Sequence, residues 1–314
     1  MNRPRHPRIE GRKPMAIAVA ILLSGRASLA ALPEPLLAGI EAELEQAITL
    51  HLENGQQLRG HAVEVNSTQL KLASAEGSGE IIYTFDSEAI ARIEVPGESY
   101  KTLALEWMQA GRQTDALELM DRLYAQRVNL IPLLPPAESH FFVYYVHLIL
   151  RSPQPARAIG VSDRIKPQIA NEDAIHKLED DVLDSYYILQ LYAAAKPLAR
   201  DWVRERKPYD SSALGYFVLG MEHLRSGEPE AALELALRPI VFAAPSPQDK
   251  LPDCYALAIG AALQLRDVPY AKRLYREMEA RSLVWPKDNP ELGPILNAIQ
   301  QHLKKDEDST PSQT

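Results

Sequence analysis

The sequence predicts a multidomain α and β protein: a small five-stranded β-barrel followed by an all-α array of helical hairpins. Two observations carry this. Between Ile48 and Val95 apolar residues alternate with a period of two in five short runs divided by turn signals, whereas from Tyr100 to about residue 300 the period is helical. A third observation is a recurring spacing of helix end, short break and alanine within the helical part. The 314 residues are 46% hydrophobic and 24% charged, which excludes collagen-like, fully disordered and multi-span membrane classes. A net charge of -8 argues against a broad nucleic-acid surface. Cys254 is the single cysteine, so neither an intramolecular disulfide nor an all-cysteine metal site can form.

The first thirty residues read as an address. Arg3, Arg5, Arg8, Arg12 and Lys13 precede the apolar run Met15 to Leu23, and Ser28-Leu29-Ala30 places small residues two apart before Ala31. Basic residues stay on the cytoplasmic side, a short apolar run enters the bilayer, and small side chains fit the peptidase. Residues 1–30 are therefore expected to be a signal peptide, with a retained anchor as the alternative and a periplasmic or secreted destination. Nine apolar residues fall short of the roughly 20 that span a bilayer. Cleavage removes six basic residues and one acid and takes the chain to -13.

Residues 33–96 form the expected barrel. A short helix covers Leu32 to Gln46, after which Ile48, Leu50 and Leu52 alternate with Thr49 and His51. Asn54-Gly55 is a hairpin signal, since both residues tolerate the positive φ of a type I′ turn. Leu58 to Val65, Gln69 to Ala73, Ile81 to Phe85 and Ala91 to Val95 complete the strands, with turns at Asn66-Ser67 and Glu76 to Gly79. The run I-T-L-H-L-E-N-G-Q-Q-L-R-G-H-A-V-E-V resembles the opening of an Sm-like domain, which implies a strongly bent barrel with Gly60 where the second strand curls. The acidic and asparagine pair of that family's RNA-binding signature is missing after the second strand, where Asn66-Ser67-Thr68-Gln69 stands instead.

Residues 100–300 form the expected array. Trp107 to Ala116, His223 to Ala232 and Ala262 to Ala271 share one spacing from helix end through Gly111, Gly227 or Arg266 to an alanine. Small alanine suits a close helix crossing, and glycine accepts a left-handed turn. These segments resemble tetratricopeptide repeats, with Tyr216, Leu219, Gly220, Gly227 and Ala232 on the best-fitting unit. Two further hairpins are expected at Glu138 to Leu150 with Pro155 to Ile165, and at Asp173 to Ala195 with Leu198 to Arg206, their crossing alanines Ala156 and Ala199. Residues 304–314 are polar and expected to be a disordered tail.

Motif-borne chemistry is absent: no Gly-rich phosphate loop, no G-x-S-x-G elbow and no H-E-x-x-H helix occurs. His140 and His147 are seven apart and read as core rather than as a metal pair. The run Glu172, Asp173, Glu179, Asp180, Asp181 and Asp184 reads as a solvated helix face. No cofactor or metal is expected. The resulting function is non-catalytic protein or peptide binding, because stacked hairpins give an extended concave surface. The alternatives are an enzyme whose site no motif reveals, and an RNA-binding module on the barrel. In the repeat register the inner face presents Phe141 and Tyr145, then Asp181, Asp184 and Ile188, then Phe217 and Met221, then Asp253. Such a groove suits a basic, partly apolar peptide; with the register shifted, the same apolar residues are core. No nucleic acid and no membrane span after cleavage are expected, and a homo-oligomer remains open.

Overall fold

The computed structural model describes residues 34–309 apart from 77, 78, 210, 242–244 and 288. The expected signal segment 1–30 and residues 310–314 lie outside the described residues. Among the described residues no helix is long and apolar enough to cross a membrane.

Helix α1 (Glu34–Leu44) precedes five strands: β1 (Ile48–Leu52), β2 (Gln57–Val65), β3 (Gln69–Glu76), β4 (Gly79–Asp86) and β5 (Ile90–Glu94). All pairings are antiparallel and the order is β4-β3-β2-β1-β5. The five strands of the expected small barrel form one antiparallel sheet with β4 and β5 at its two edges, and among the described residues no pairing closes those edges. β2 bends between its partners: Gln57 to Gly60 pair with β1, and His61 to Val65 pair with β3. Gly60 is required there, because a Cβ would sit 2.3 Å from the Ala73 carbonyl oxygen. The hairpin at Asn54-Gly55 is not type I′: only Gly55 is left-handed (φ 83°), and Asn54 Oδ1 accepts from Gln56 N–H at 3.0 Å.

The helices pair along the chain as α2 (Glu98–Gln109) with α3 (Gln113–Arg127), α4 (Ser139–Leu150) with α5 (Ala156–Ile165), α6 (Glu172–Ile188) with α7 (Tyr192–Glu205), α8 (Ala213–Arg225) with α9 (Pro229–Val241), and α10 (Leu251–Gln264) with α11 (Val268–Ala280). Helix α12 (Gly293–Ser309) packs on α10 and α11 as a further first helix would. Neighbouring first helices touch, α4 with α6, α6 with α8, and α8 with α10, so the array is a tetratricopeptide-like solenoid.

Four hairpins turn by one device. Gly111, Gln190, Gly227 and Arg266 have φ of 77°, 58°, 76° and 62°. The next residue then bonds back five positions: Arg112 N–H to Trp107 O (2.8 Å), Leu191 to Tyr186 (2.8 Å), Glu228 to His223 (2.9 Å) and Asp267 to Ala262 (2.9 Å). Five residues after each left-handed position stands an alanine with no exposed surface: Ala116, Ala195, Ala232 and Ala271. The expected Ala156 is exposed, and Ala158 is the buried alanine of α5. The break expected at residues 195–198 lies instead at Leu189 to Leu191, and Pro197 is tolerated inside α7. Residues 304–309 also depart from expectation, because α12 runs to Ser309.

Helix α1 packs with the array: Ile40 belongs to the cluster of Leu119, Met120 and Leu123, and Arg122 pairs with Glu41 at 2.5 Å. The sheet's core (Ile48, Leu50, Leu70, Leu72, Ile93) includes Leu130 from the 3-10 turn that follows α3.

Candidate functional site

Helix α6 lies at the seam between the array's two apolar clusters, with Leu178 in the first and Leu183 in the second. Its start is fixed by Asn171, whose Oδ1 accepts from Ala174 N–H at 2.9 Å. Asp180 and Asp181 fall on the seam. The expected solvated acidic face is overturned there, because Asp180, Asp181 and Asp184 are 7%, 7% and 9% exposed. Each meets a cationic or donor group from a different element. Arg206, just past α7, holds Asp180 at 2.7 and 2.8 Å and donates to the His176 carbonyl oxygen at 2.6 Å. His147 of α4 contacts Asp181 at 3.0 Å, and Lys250 reaches Asp184 at 2.7 Å. Arg151 Nε donates to His147 Nε2 at 2.9 Å, which leaves Nδ1 as the protonated nitrogen that donates to Asp181.

Below these pairs opens a cleft of about 650 Å³. Leu150 and Arg151 come from the end of α4, Asp184, Tyr187 and Ile188 from α6, Phe217 from α8, Asp249 and Lys250 from the approach to α10, and Asp253 from its first turn. Asn289, Pro290 and Glu291, leading into α12, close the far side. Tyr187 meets Phe217 edge-on at 5.1 Å, so the aromatic floor is fixed by packing. Ile188, 50% exposed, and Val284, 73% exposed, supply its accessible apolar surface.

Burial raises the Asp253 carboxyl to about 6; Lys250 opposes that rise, while Asp184 and Asp249 add to it. Asp180 rises to about 6 through burial as well, against the pull of Arg206. Burial lifts Asp181, with His147 opposing, and it raises the Tyr187 hydroxyl. For Lys250 burial works downward, but the charges of Asp184 and Asp253 prevail and its ammonium is held above the ordinary lysine value.

Of the residues the sequence singled out, Asp184, Ile188, Phe217 and Asp253 come together in this cleft. Asp181 lies behind it on His147. Phe141, Tyr145 and Met221 are core: Phe141 packs on Phe142 at 5.2 Å, and the Tyr145 hydroxyl donates to Asp121 at 2.7 Å. Phe217, 1% exposed, is as much floor as wall. The expectation of a core role for both histidines is corrected, since His140 is exposed and His147 half-buried. Sequence reasoning missed Arg151, Tyr187, Lys250 and Glu291. Lys250 and Asp253, three apart where an apolar helix begins, were the available signal. Among the described residues no group of three or more His, Cys, Asp or Glu could hold a metal. Cys254 is fully buried, and burial pushes its thiol well up, so it is a packing residue.

No family model matches the sequence, and no curated protein matches it. Among solved structures it is similar to one described as the crystal structure of MamA protein, at 13% identity and a TM-score of 0.39, over 58% of this chain and 93% of that one. A likeness at that level assigns no function.

Proposed function

We propose that this protein is a non-catalytic protein-interaction module whose cleft takes a short peptide segment combining an apolar side chain with a lysine or arginine. One observation carries the reading: Ile188, half-exposed, stands beside Asp184 paired with Lys250, Asp249 paired with Arg151 at 3.6 Å, and Asp253, which leaves one carboxylate in excess. Apolar area supplies affinity, and the carboxylates select the sign of the partner's charge. The work is extracytoplasmic on this reading, which rests on the basic start, short apolar run and Ser28-Leu29-Ala30.

The test is capture from an array of octapeptides that vary in charge and apolar content. Ile188→Asp and Asp249→Lys should each weaken capture of Leu/Lys peptides by about tenfold, or roughly 1.4 kcal/mol, with the melting temperature unchanged. Equal capture of acidic peptides would refute the charge assignment. N-terminal sequencing of the native protein should find Ala31 first, and an intact Met1 on soluble cytoplasmic material would refute export.

A further inference from the structure

The far wall of the cleft is held differently from its floor. Among the described residues, Asn289 N–H donates to Pro286 O at 3.4 Å, Leu292 N–H donates to Asn289 O at 3.2 Å, Glu291 N–H donates to the Asn289 side-chain Oδ1 at 3.1 Å, and Pro290 has no N–H to give. Fully buried Leu292 anchors the step at one end, and one side-chain cluster ties the rest of it. The Glu291 carboxylate accepts from Arg225 Nε at 2.9 Å and from Arg225 Nη2 at 2.8 Å, and the Tyr192 hydroxyl donates to it at 2.7 Å. The Arg225 guanidinium lies 3.9 Å above the Tyr192 ring and 5.5 Å from the Tyr187 ring. Asn289 Nδ2 donates to the Tyr187 hydroxyl at 3.3 Å. The start of α7 and the end of α8 thus converge on one carboxylate from the step before α12, and the end of α6 joins them through Arg225 and Asn289.

Two features distinguish this cluster from an ordinary packing tie. Its ion pair is wet, with side chains 31% and 29% exposed, whereas the Lys250–Asp184 pair in the same cleft is 18% and 13% exposed. Partly solvated pairs exchange with water and salt more readily than buried ones. It also includes Tyr187, a lining residue that packs on Phe217, so a change at Glu291 reaches the cleft floor through Arg225, whose Nη2 donates to the Tyr187 hydroxyl at 3.4 Å.

We propose that Arg225 and Glu291 form a releasable clasp that holds residues 289–291 across the end of the cleft and so limits its occupancy. The clasp is an autoinhibitory contact, and it rests on the reading of the cleft as a ligand site. Release uncovers the Tyr187 hydroxyl and edge and extends the apolar floor beyond Ile188.

The experiment uses the full chain and Glu291→Gln, which keeps shape and removes the charge. Three readouts apply: amide exchange of residues 289–296, fluorescence of the apolar dye anilinonaphthalene sulfonate, and anisotropy of a labelled Leu/Lys octapeptide. The variant should exchange at least tenfold faster at Glu291 and Leu292 with α8 and α10 unchanged. Dye fluorescence should rise several-fold, and Ile188→Asp in the same background should abolish that gain. Peptide affinity should rise at least fivefold. Unchanged exchange and dye signal would overturn the clasp, as would faster exchange throughout α8 and α10, which marks a general structural tie. Faster local exchange and dye entry with no peptide bound by either protein would leave the clasp standing and overturn the peptide reading instead.

Discussion

Ala116, Ala195, Ala232 and Ala271 each follow a left-handed residue by five positions, and each is fully buried where its hairpin's helices cross. A longer side chain has nowhere to go. Ala195→Leu and Ala232→Leu should each cost about 1 to 3 kcal/mol by overpacking, whereas Ala156→Leu, at an exposed site, should stay within about 0.5 kcal/mol. Thermal melts of the three variants check the register. The carboxylates make a second prediction. Asp253 is held up at about 6, so the folded state binds its proton more tightly than the unfolded chain does. The stability this contributes is complete below the ordinary carboxylate value and is lost as pH rises through about 6. Asp253→Asn should therefore raise the urea midpoint at pH 7.5 and flatten its fall between pH 4.5 and 7.5; a lower midpoint at pH 7.5 would refute this. The same residues show what the sequence could not convey. A run of Asp on a helix reads as solvated, because its partners Arg206, His147 and Lys250 are 26, 34 and 66 residues away.

The helices and strands were legible where composition changes sharply. Period-two alternation located all five strands, and Gly111 and Gly227 located two hairpin turns. Gln190 gave no such sign: glutamine is not a turn marker, and the break expected between Ala195 and Leu198 falls too late. The physical cost of that camouflage is testable. Left-handed backbone costs a residue with a Cβ roughly 1 kcal/mol, which glycine escapes. Gln190→Gly and Arg266→Gly should each stabilise the chain by up to about 1 kcal/mol, and Gly227→Ala should destabilise it by a similar amount. Melting temperatures decide the sign. Closure of the sheet was not legible in the same way, since alternation and turns specify strands but not whether the two edge strands meet. The cleft was half legible for a related reason. Helical spacing brought Asp184 and Ile188 to one face, whereas residues 289–291 reach it only through the chain's return into α12.

On the scale of the whole molecule, the question is whether sheet and array act as one body. Their link is concrete. Leu130, 3% exposed, leaves the end of α3 and enters the sheet's core among Leu50, Leu70 and Ile93, while Ile40 of α1 packs into the array. Each side thus fills a place in the other's core, and removing either side exposes apolar surface worth about 25 cal/mol per Å². Leu130→Ala should cost about 2 to 5 kcal/mol, because the tight core around it leaves a cavity. If the two sides are coupled, that loss is shared. Urea transitions followed by tryptophan fluorescence report the array, since Trp107, Trp202 and Trp285 all lie in its helices and connections. Amide exchange of β2 and β3 reports the sheet. In Leu130→Ala both transitions should move to lower urea together and remain coincident. A sheet that loosens while the tryptophan transition stays in place would instead mark residues 48–94 as an independently folding unit joined to the array by contact alone.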